Sequence, residues 1–207
     1  MKVLLINGSP RANGCTFTAL SEIAETLNAE NIETEIVQLG NKPVQDCIGC
    51  GGCAGKGKCV FSNDCVNELI EKAKYADGFV FGTPVYYAHP SGRVLSVMDR
   101  LFYAGGINFE HKPAAVIASA RRAGTTSALD AISKHLGISQ MPIISSTYWN
   151  MVHGNTPEEI VRDAEGMQTM RNIARNMAWI LKCIEAGKRS GITAPQAEKT
   201  ARTNFIR

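Results

Sequence analysis

The chain lacks several features that would place it quickly. Among its 207 residues no apolar run approaches the ~18–20 residues that a membrane-crossing helix needs, so no membrane association is expected. Lys2 followed only by Val3-Leu4-Leu5-Ile6 is too short for the apolar part of a secretory leader, so a cytoplasmic protein is expected. A broad basic surface is also missing. The net charge is +3, but residues 188–207 hold Lys188, Arg189, Lys199, Arg202 and Arg207 against Glu198, which is +4 and leaves −1 for the rest. That is not a nucleic-acid surface. The basic tail is either a solvated extension or a segment that docks on a partner subunit. There is no internal repeat and no linker ahead of that tail. At 44% hydrophobic residues the chain can bury one good core. One domain is expected over 1–187, followed by a basic tail over 188–207.

Two phosphate-binding loops are nearly present and fail. The triphosphate loop G-x-x-x-x-G-K-[ST] is approached at Gly8 to Thr16, but its glycines are one residue too far apart and Cys15 stands where the lysine belongs. The dinucleotide fingerprint G-x-G-x-x-G is absent. What stands there is Asn7-Gly-Ser-Pro-Arg-Ala-Asn-Gly-Cys-Thr16. It follows the apolar run Val3–Ile6, which reads as a buried parallel strand. It precedes a helical pattern that puts Leu20, Ile23, Ala24 and Leu27 on one face. Gly8 and Gly14 allow backbone turns, Ser9, Asn13 and Thr16 add small polar groups, and Arg11 adds a fork of donors. Free N–H groups at the helix start complete an anion cradle, so a ligand carrying a phosphate is expected. A plain helix cap is the alternative, but it needs neither an arginine nor two glycines.

The remaining elements alternate, which argues for a doubly wound α/β parallel sheet. Strands are expected at Lys2–Asn7, Glu33–Leu39, Gly78–Thr83, Ala114–Ser119 and Pro142–Ser145. Helices are expected from about Thr16 to Asn28, from near Asp64, after a Ser91 cap, and from Gly124-Thr125. A last one starts at the Thr156-Pro-Glu-Glu159 box and runs to Gly187 with a break near Gly166. In such a sheet the ligand lies outside the carboxyl ends of the strands at the topological switch point. That selects three loops: 7–16, 83–91 and 118–125.

Gly8, Ser9, Pro10, Arg11, Gly14 and Thr16 resemble the phosphate loop of the flavodoxin-like NAD(P)H-dependent FMN reductases. Thr83-Pro-Val-Tyr86 is similar to that family's isoalloxazine-binding segment, and Ser119-Ala-Arg-Arg-Ala-Gly124 to its third contact segment. The resemblance covers roughly residues 1–185. It implies a five-stranded flavodoxin-like sheet of order 2-1-3-4-5 and an FMN-dependent oxidoreductase. NAD(P)H is the implied co-substrate, delivering hydride to the flavin N5. Electrons then pass to a quinone-like or other small acceptor, or singly to a protein partner. Ser9, Arg11, Asn13, Gly14, Cys15 and Thr16 are the expected phosphate contacts, Cys15 through its backbone. Pro84, Val85, Tyr86 and Tyr87 are expected along the ring system, with the tyrosines supplying flat area. Ser119, Ala120, Arg121, Arg122 and Gly124 are expected near its pyrimidine end, where a cation steadies reduced flavin; either arginine can equally be solvated. The flavin carries the chemistry, so no catalytic side chain is named. Relatives of this kind generally form dimers or tetramers, so a homo-oligomer is implied.

Seven cysteines are many for a reducing compartment, where clustering argues for metal or redox chemistry before disulfides. Cys47, Cys50, Cys53 and Cys59 are spaced C-x2-C-x2-C-x5-C. Four such thiolates with glycines between them suit an iron–sulfur cluster, and the spacing resembles that of the iron–sulfur flavoproteins, a branch of the same family. A zinc-bound or vestigial loop stays open as an alternative. Cys65 is expected to cap or pack beside a helix, Cys183 to be a core thiol, and Asp99-Arg100 to be a solvated or capping pair. His89 and His153 are candidate proton donors, each expected to be structural. Tyr148 to Gly154 is expected to be a packed loop with one or two functional groups. Two other classes of function stay open: an electron carrier without reductase activity, and a metal- or redox-sensing module built on the cysteine loop.

Overall fold

The computed structural model describes residues 1–201, 203 and 205; Arg202 and Arg207 of the basic tail lie outside these. The first strand, β1 (Lys2–Asn7), leads through the glycine loop into α1 (Cys15–Ala29), then β2 (Glu33–Gln38). After the long cysteine loop come α2 (Val66–Lys74), β3 (Gly78–Tyr86), the two-residue β4 (His89–Pro90) and α3 (Gly92–Gly105). The chain continues with β5 (Ala114–Ala120), α4 (Thr125–Ile138), β6 (Met151–His153), α5 (Pro157–Arg162) and α6 (Ala164–Arg189). The parallel strands lie in the order β2-β1-β3-β5-β6, with β4 folded back antiparallel on the end of β3. This is the expected doubly wound, flavodoxin-like α/β sheet.

Alternation along the central strands explains the two layers, because successive side chains leave a strand on opposite faces. Leu4, Ile6, Phe79, Phe81, Ala114 and Val116 pack with α2, α3 and α4. Val3, Leu5, Val80, Ala115 and Ile117 pack with α1 and α6. Both faces are covered, so the strands read as continuous apolar runs rather than alternating ones. Phe109 ties Phe79 to Phe102, with ring centroids 4.7 and 4.8 Å apart.

Three expectations are corrected. The fifth strand does not sit at Pro142–Ser145. There the chain makes a single bridge, Ile143 opposite Ala114, and then swings out. Proline has no N–H to extend a ladder, and the Ser146 hydroxyl lies within hydrogen-bond distance of Tyr148 O and the Asn150 side chain, at 2.7 and 2.8 Å. Regular pairing resumes at Met151–His153 beside Ala118–Ala120, six to nine residues later. The break expected near Gly166 falls three residues earlier, at Asp163. Asp163 ends α5 and caps α6, accepting from Gly166 N at 2.9 Å. A Cβ on Gly166 would stand 2.3 Å from the Asp163 carboxylate, so that glycine leaves room for the cap. Finally, Cys183 is exposed rather than a core thiol. The helix itself continues to Arg189, two residues past the expected Gly187.

Candidate functional site

The phosphate loop is held from beneath by side chains. Asn7, buried at the end of β1, accepts from Ser9 N at 3.1 Å and donates to Gln38 Oε1. Gln38 in turn donates to Ser9 O at 2.7 Å, and Ser9 Oγ accepts from Arg11 N at 3.2 Å. Gly8 donates its N–H to Gly82 O at 2.8 Å. A Cβ at Gly8 would fall 2.4 Å from Val94 Cγ2 and 2.7 Å from Gly82 O. Close approach to β3 and α3, rather than an unusual turn, is therefore what position 8 demands. Gly14, with φ −93°, is the N-cap of α1 and provides no side-chain cap. The first N–H groups of a 15-residue helix are thus left for an external acceptor, at its positive end.

The second loop starts later than expected, because the strand before it does not end at Thr83. β3 runs through Tyr86, and Val85 and Tyr86 pair with Pro90 and His89. Buried Thr83 accepts from Ser91 N at 3.1 Å. Ser91 caps α3 by accepting from Val94 N at 3.3 Å and donates to Gly8 O at 3.0 Å. Tyr86 is half-exposed, and Tyr87, with φ +62°, stands fully in solvent. In the third loop Ser119 is buried and shares a 2.8 Å hydrogen bond with Thr16, while Arg121 and Arg122 are exposed. Gly124 (φ +89°) begins α4, and a Cβ there would meet Val85 Cγ1 at 2.8 Å.

These loops close around one cavity of about 210 Å³. The first loop contributes Ser9, Arg11, Cys15 and Thr16, the second Pro84, Val85 and Tyr86, and the third Ser119, Ala120 and Arg121. Asn13, Gly14, Tyr87, Arg122 and Gly124 do not line it. Gly154 and Asn155 do, and they were not among the expected contacts. Gly154 is fixed by donating to Ala120 O at 3.0 Å. The signal for them lay in the carboxyl-end rule, which selects both once the fifth strand is placed at Met151–His153. Of the two histidines, His89 is tied to Pro90 O at 2.7 Å and His153 donates its N–H to Asp163 at 2.8 Å; neither lines the cavity. Tyr148 and Trp149 are exposed and stack edge-on at 4.7 Å.

The cavity fits an anionic nucleotide. Two arginines and a helix N-terminus face it, and no acidic residue lines it. It is smaller than the ~300–1,000 Å³ of whole-cofactor pockets, so it would enclose only part of a flavin nucleotide. Cys15 adds no nucleophile. Burial pushes its thiol up from the ordinary range, and Sγ donates to Gly154 O at 3.7 Å. A larger cavity, about 700 Å³, lies between the cysteine loop and α3–α4. Among the described residues its lining includes Asp99 and Glu110 and no lysine or arginine, a poor match for a phosphate.

The cysteine loop forms a second centre. Cys47, Cys50, Cys53 and Cys59 all line a cavity of about 170 Å³, which shares no residue with the first. No acid or histidine lines it. Gly49 and Gly51 take φ +65° and +67°, the left-handed turns that let the loop present successive thiols. Among the described residues, no three His, Cys, Asp or Glu side chains are gathered closely enough to hold a metal ion. A thiol-only donor set spread around one cavity fits a polynuclear iron–sulfur centre, whose ligands attach to different irons. Arg100 corrects the expectation of a solvated pair. It is 1% exposed and forms part of the cavity wall. Asp99 instead bonds His135 at 2.9 Å. Cys65 is the N-cap residue of α2 and packs partly buried against the core.

The profile of the NADPH-dependent FMN reductase family matches residues 1–156. The chain belongs to that family. It is 32% identical over 193 residues to an iron-sulfur flavoprotein of Methanocaldococcus jannaschii, covering 89% of this chain and all of that one. An iron-sulfur flavoprotein of Archaeoglobus fulgidus is 31% identical over 185 residues, covering 86% and 90%. Among solved structures, a flavone reductase superposes with TM-score 0.68 at 21% identity, covering 89% of this chain and 64% of that one. An archaeal flavodoxin does so with TM-score 0.61 at 14% identity, covering 88% and 99%. At these identities the structures establish the flavodoxin-like fold. Family and fold together make this FMN reductase homologue an FMN-dependent redox protein. Among the described residues no helix is long and apolar enough to cross a membrane.

Proposed function

We propose that the chain is an FMN-dependent oxidoreductase that takes hydride from NAD(P)H. It passes the electrons to a quinone-like small acceptor or, through a [4Fe-4S] cluster held by Cys47, Cys50, Cys53 and Cys59, to a redox protein. The observation that carries the reading is the acid-free cavity where the carboxyl ends of β1, β3 and β5 meet the N-terminus of α1. Bound FMN supplies hydride and single-electron chemistry. The protein's part is to hold and orient it. Arg11, Ser9, Thr16 and the first N–H groups of α1 bind the phosphate. Pro84, Val85 and Tyr86 support the ring system, and Arg121 provides positive charge at the cavity's edge. The cluster is supported by four thiols on one cavity and by relatives named as iron-sulfur flavoproteins.

Helix α3 touches both centres. Its cap, Ser91, bonds Gly8, and Arg100, nine residues on, bonds Cys59. At 1.5 Å per residue the two contacts stand ~14 Å apart along the helix. A homodimer or homotetramer working in the cytoplasm is part of the same reading. The test is steady-state oxidation of NADH and NADPH by the anaerobically purified, FMN-loaded protein with a benzoquinone acceptor. Turnover with either nucleotide supports the reductase; a protein that binds FMN and oxidises neither is an electron carrier instead.

A further inference from the structure

Arg100 is the one guanidinium sealed inside the described part of the fold, at 1% exposure. Its surroundings are those of a device built for the cysteine cavity. Nε donates to Cys59 Sγ at 3.2 Å. Nη1 donates to Gln45 O at 2.9 Å and to the buried carboxylate of Asp64, and Nη2 donates to Phe61 O at 2.9 Å. The guanidinium also lies over the Phe61 ring, 5.5 Å from its centroid. It therefore grips the chain before the first cysteine, at the last cysteine, and just beyond it. Asn67 fixes the backbone of the same residue, accepting from Cys59 N at 2.8 Å and donating to Cys59 O at 3.0 Å.

Burying a guanidinium is costly unless its donors are used and its charge is paired. Asp64 pairs the charge, and two carbonyls use two donor directions. The Nε–H points at sulfur. A neutral thiol is a weak acceptor, whereas a thiolate, or a thiolate bound to iron, makes a charge-assisted bond. An apolar side chain would fill the same space if only packing were needed.

We propose that Arg100 is a positioning residue for the cysteine site. It holds the Cys59 sulfur at the cavity, and it raises the reduction potential of the cluster bound there. This rests on the cluster reading above. Uptake of one electron makes the cluster and its thiolates one unit more negative, with no bond broken and no proton required. An N–H donor to a ligand sulfur, backed by a buried cation, favours that reduced form, since hydrogen bonds to sulfur and net charge set such potentials. Asp64 opposes it by screening the cation.

The experiment uses the full chain, purified anaerobically with FMN bound. Iron, sulfide and FMN are counted per chain, and the two centres are followed separately in a dye-mediated potentiometric titration. Arg100→Lys keeps a charge for Asp64 but loses the fork that reaches Cys59; its cluster potential should fall while the flavin potential stays at the wild-type value. Asp64→Asn should shift the cluster potential upward. An R100K protein with full iron and an unshifted potential overturns the inference and leaves the cluster reading standing. If R100K does not fold or does not keep iron, D64N decides: an upward shift supports the inference, and an unchanged or lower potential overturns it. Iron-free wild-type protein overturns the cluster reading and this inference with it.

Discussion

The hydroxyls of Thr16 and Ser119 share a hydrogen bond of 2.8 Å across the switch point of the sheet. One belongs to the first turn of α1 and the other to the end of β5, 103 residues apart in the chain. Both are almost fully buried, and both line the phosphate cavity. Removing one partner strands the other, which costs ~1–3 kcal/mol. Thr16→Val should destabilise by that amount in urea unfolding. The pair Thr16→Val with Ser119→Ala should cost less than the two single changes added together. Additive losses would show that the two hydroxyls do not depend on each other.

Arg11→Ala removes a charge-assisted contact to phosphate without touching the core, since Arg11 is exposed. Such contacts contribute ~1.5–3 kcal/mol, so FMN should bind about tenfold to hundredfold more weakly. Fluorescence titration of the apoprotein measures this. Wild-type affinity in the variant would remove Arg11 from the cradle.

Gly8 and Gly14 should respond differently to alanine. At Gly8 a methyl group meets Val94 and the Gly82 carbonyl at 2.4 and 2.7 Å, and forced overpacking costs ~1–3 kcal/mol. At Gly14 the nearest atom is Arg11 Cβ at 3.0 Å, which needs a shift of only a few tenths of an ångström in an exposed loop, and φ is ordinary. The loss there is that of a poorer cap, under about 1 kcal/mol. Thermal unfolding of G8A and G14A ranks the two; equal losses would count against the close approach at position 8.

Glu35 bridges β1 and α2. Lys2 and Lys72 hydrogen-bond its carboxylate at 2.8 and 2.7 Å and hold it below the usual glutamate range. A depressed carboxylate stabilises the fold above its unfolded value of ~4.3 and loses that contribution as pH falls through the folded one. Glu35→Gln should therefore lower the unfolding temperature at pH 7, with the gap to wild type closing below about pH 4. The gap should also narrow at the alkaline end, above the lysine range, because both amines are raised. A gap that stays constant from pH 3 to pH 7 would mean that the ion pairs contribute nothing.

Much of the fold was legible because apolar strands and capped helices alternate along the chain. The Thr156 cap and Ser91 cap stand where their side chains imply. Pro142–Ser145 misled because it has the composition of a strand, whereas the pairing of the fifth strand depends on where Ala118–Ala120 find a free edge, a tertiary fact. That shift hid Gly154 and Asn155. Of the expected flavin contacts, Arg11 and Arg121 face the cavity, whereas Arg122 does not. Gly124 instead makes room for Val85, and Tyr87 stands in solvent. Arg100 was least legible: beside an aspartate on a helix it reads as a surface pair, and only the fold brings it under the cysteine loop.

The central claim is that the loop after β1 holds FMN by its phosphate, and titration of the apoprotein with FMN tests it most directly. Saturable quenching of flavin fluorescence at one FMN per chain, with riboflavin lacking the phosphate bound far more weakly, is the expected result. Failure to bind FMN at any excess, or equal binding of riboflavin and FMN, contradicts it.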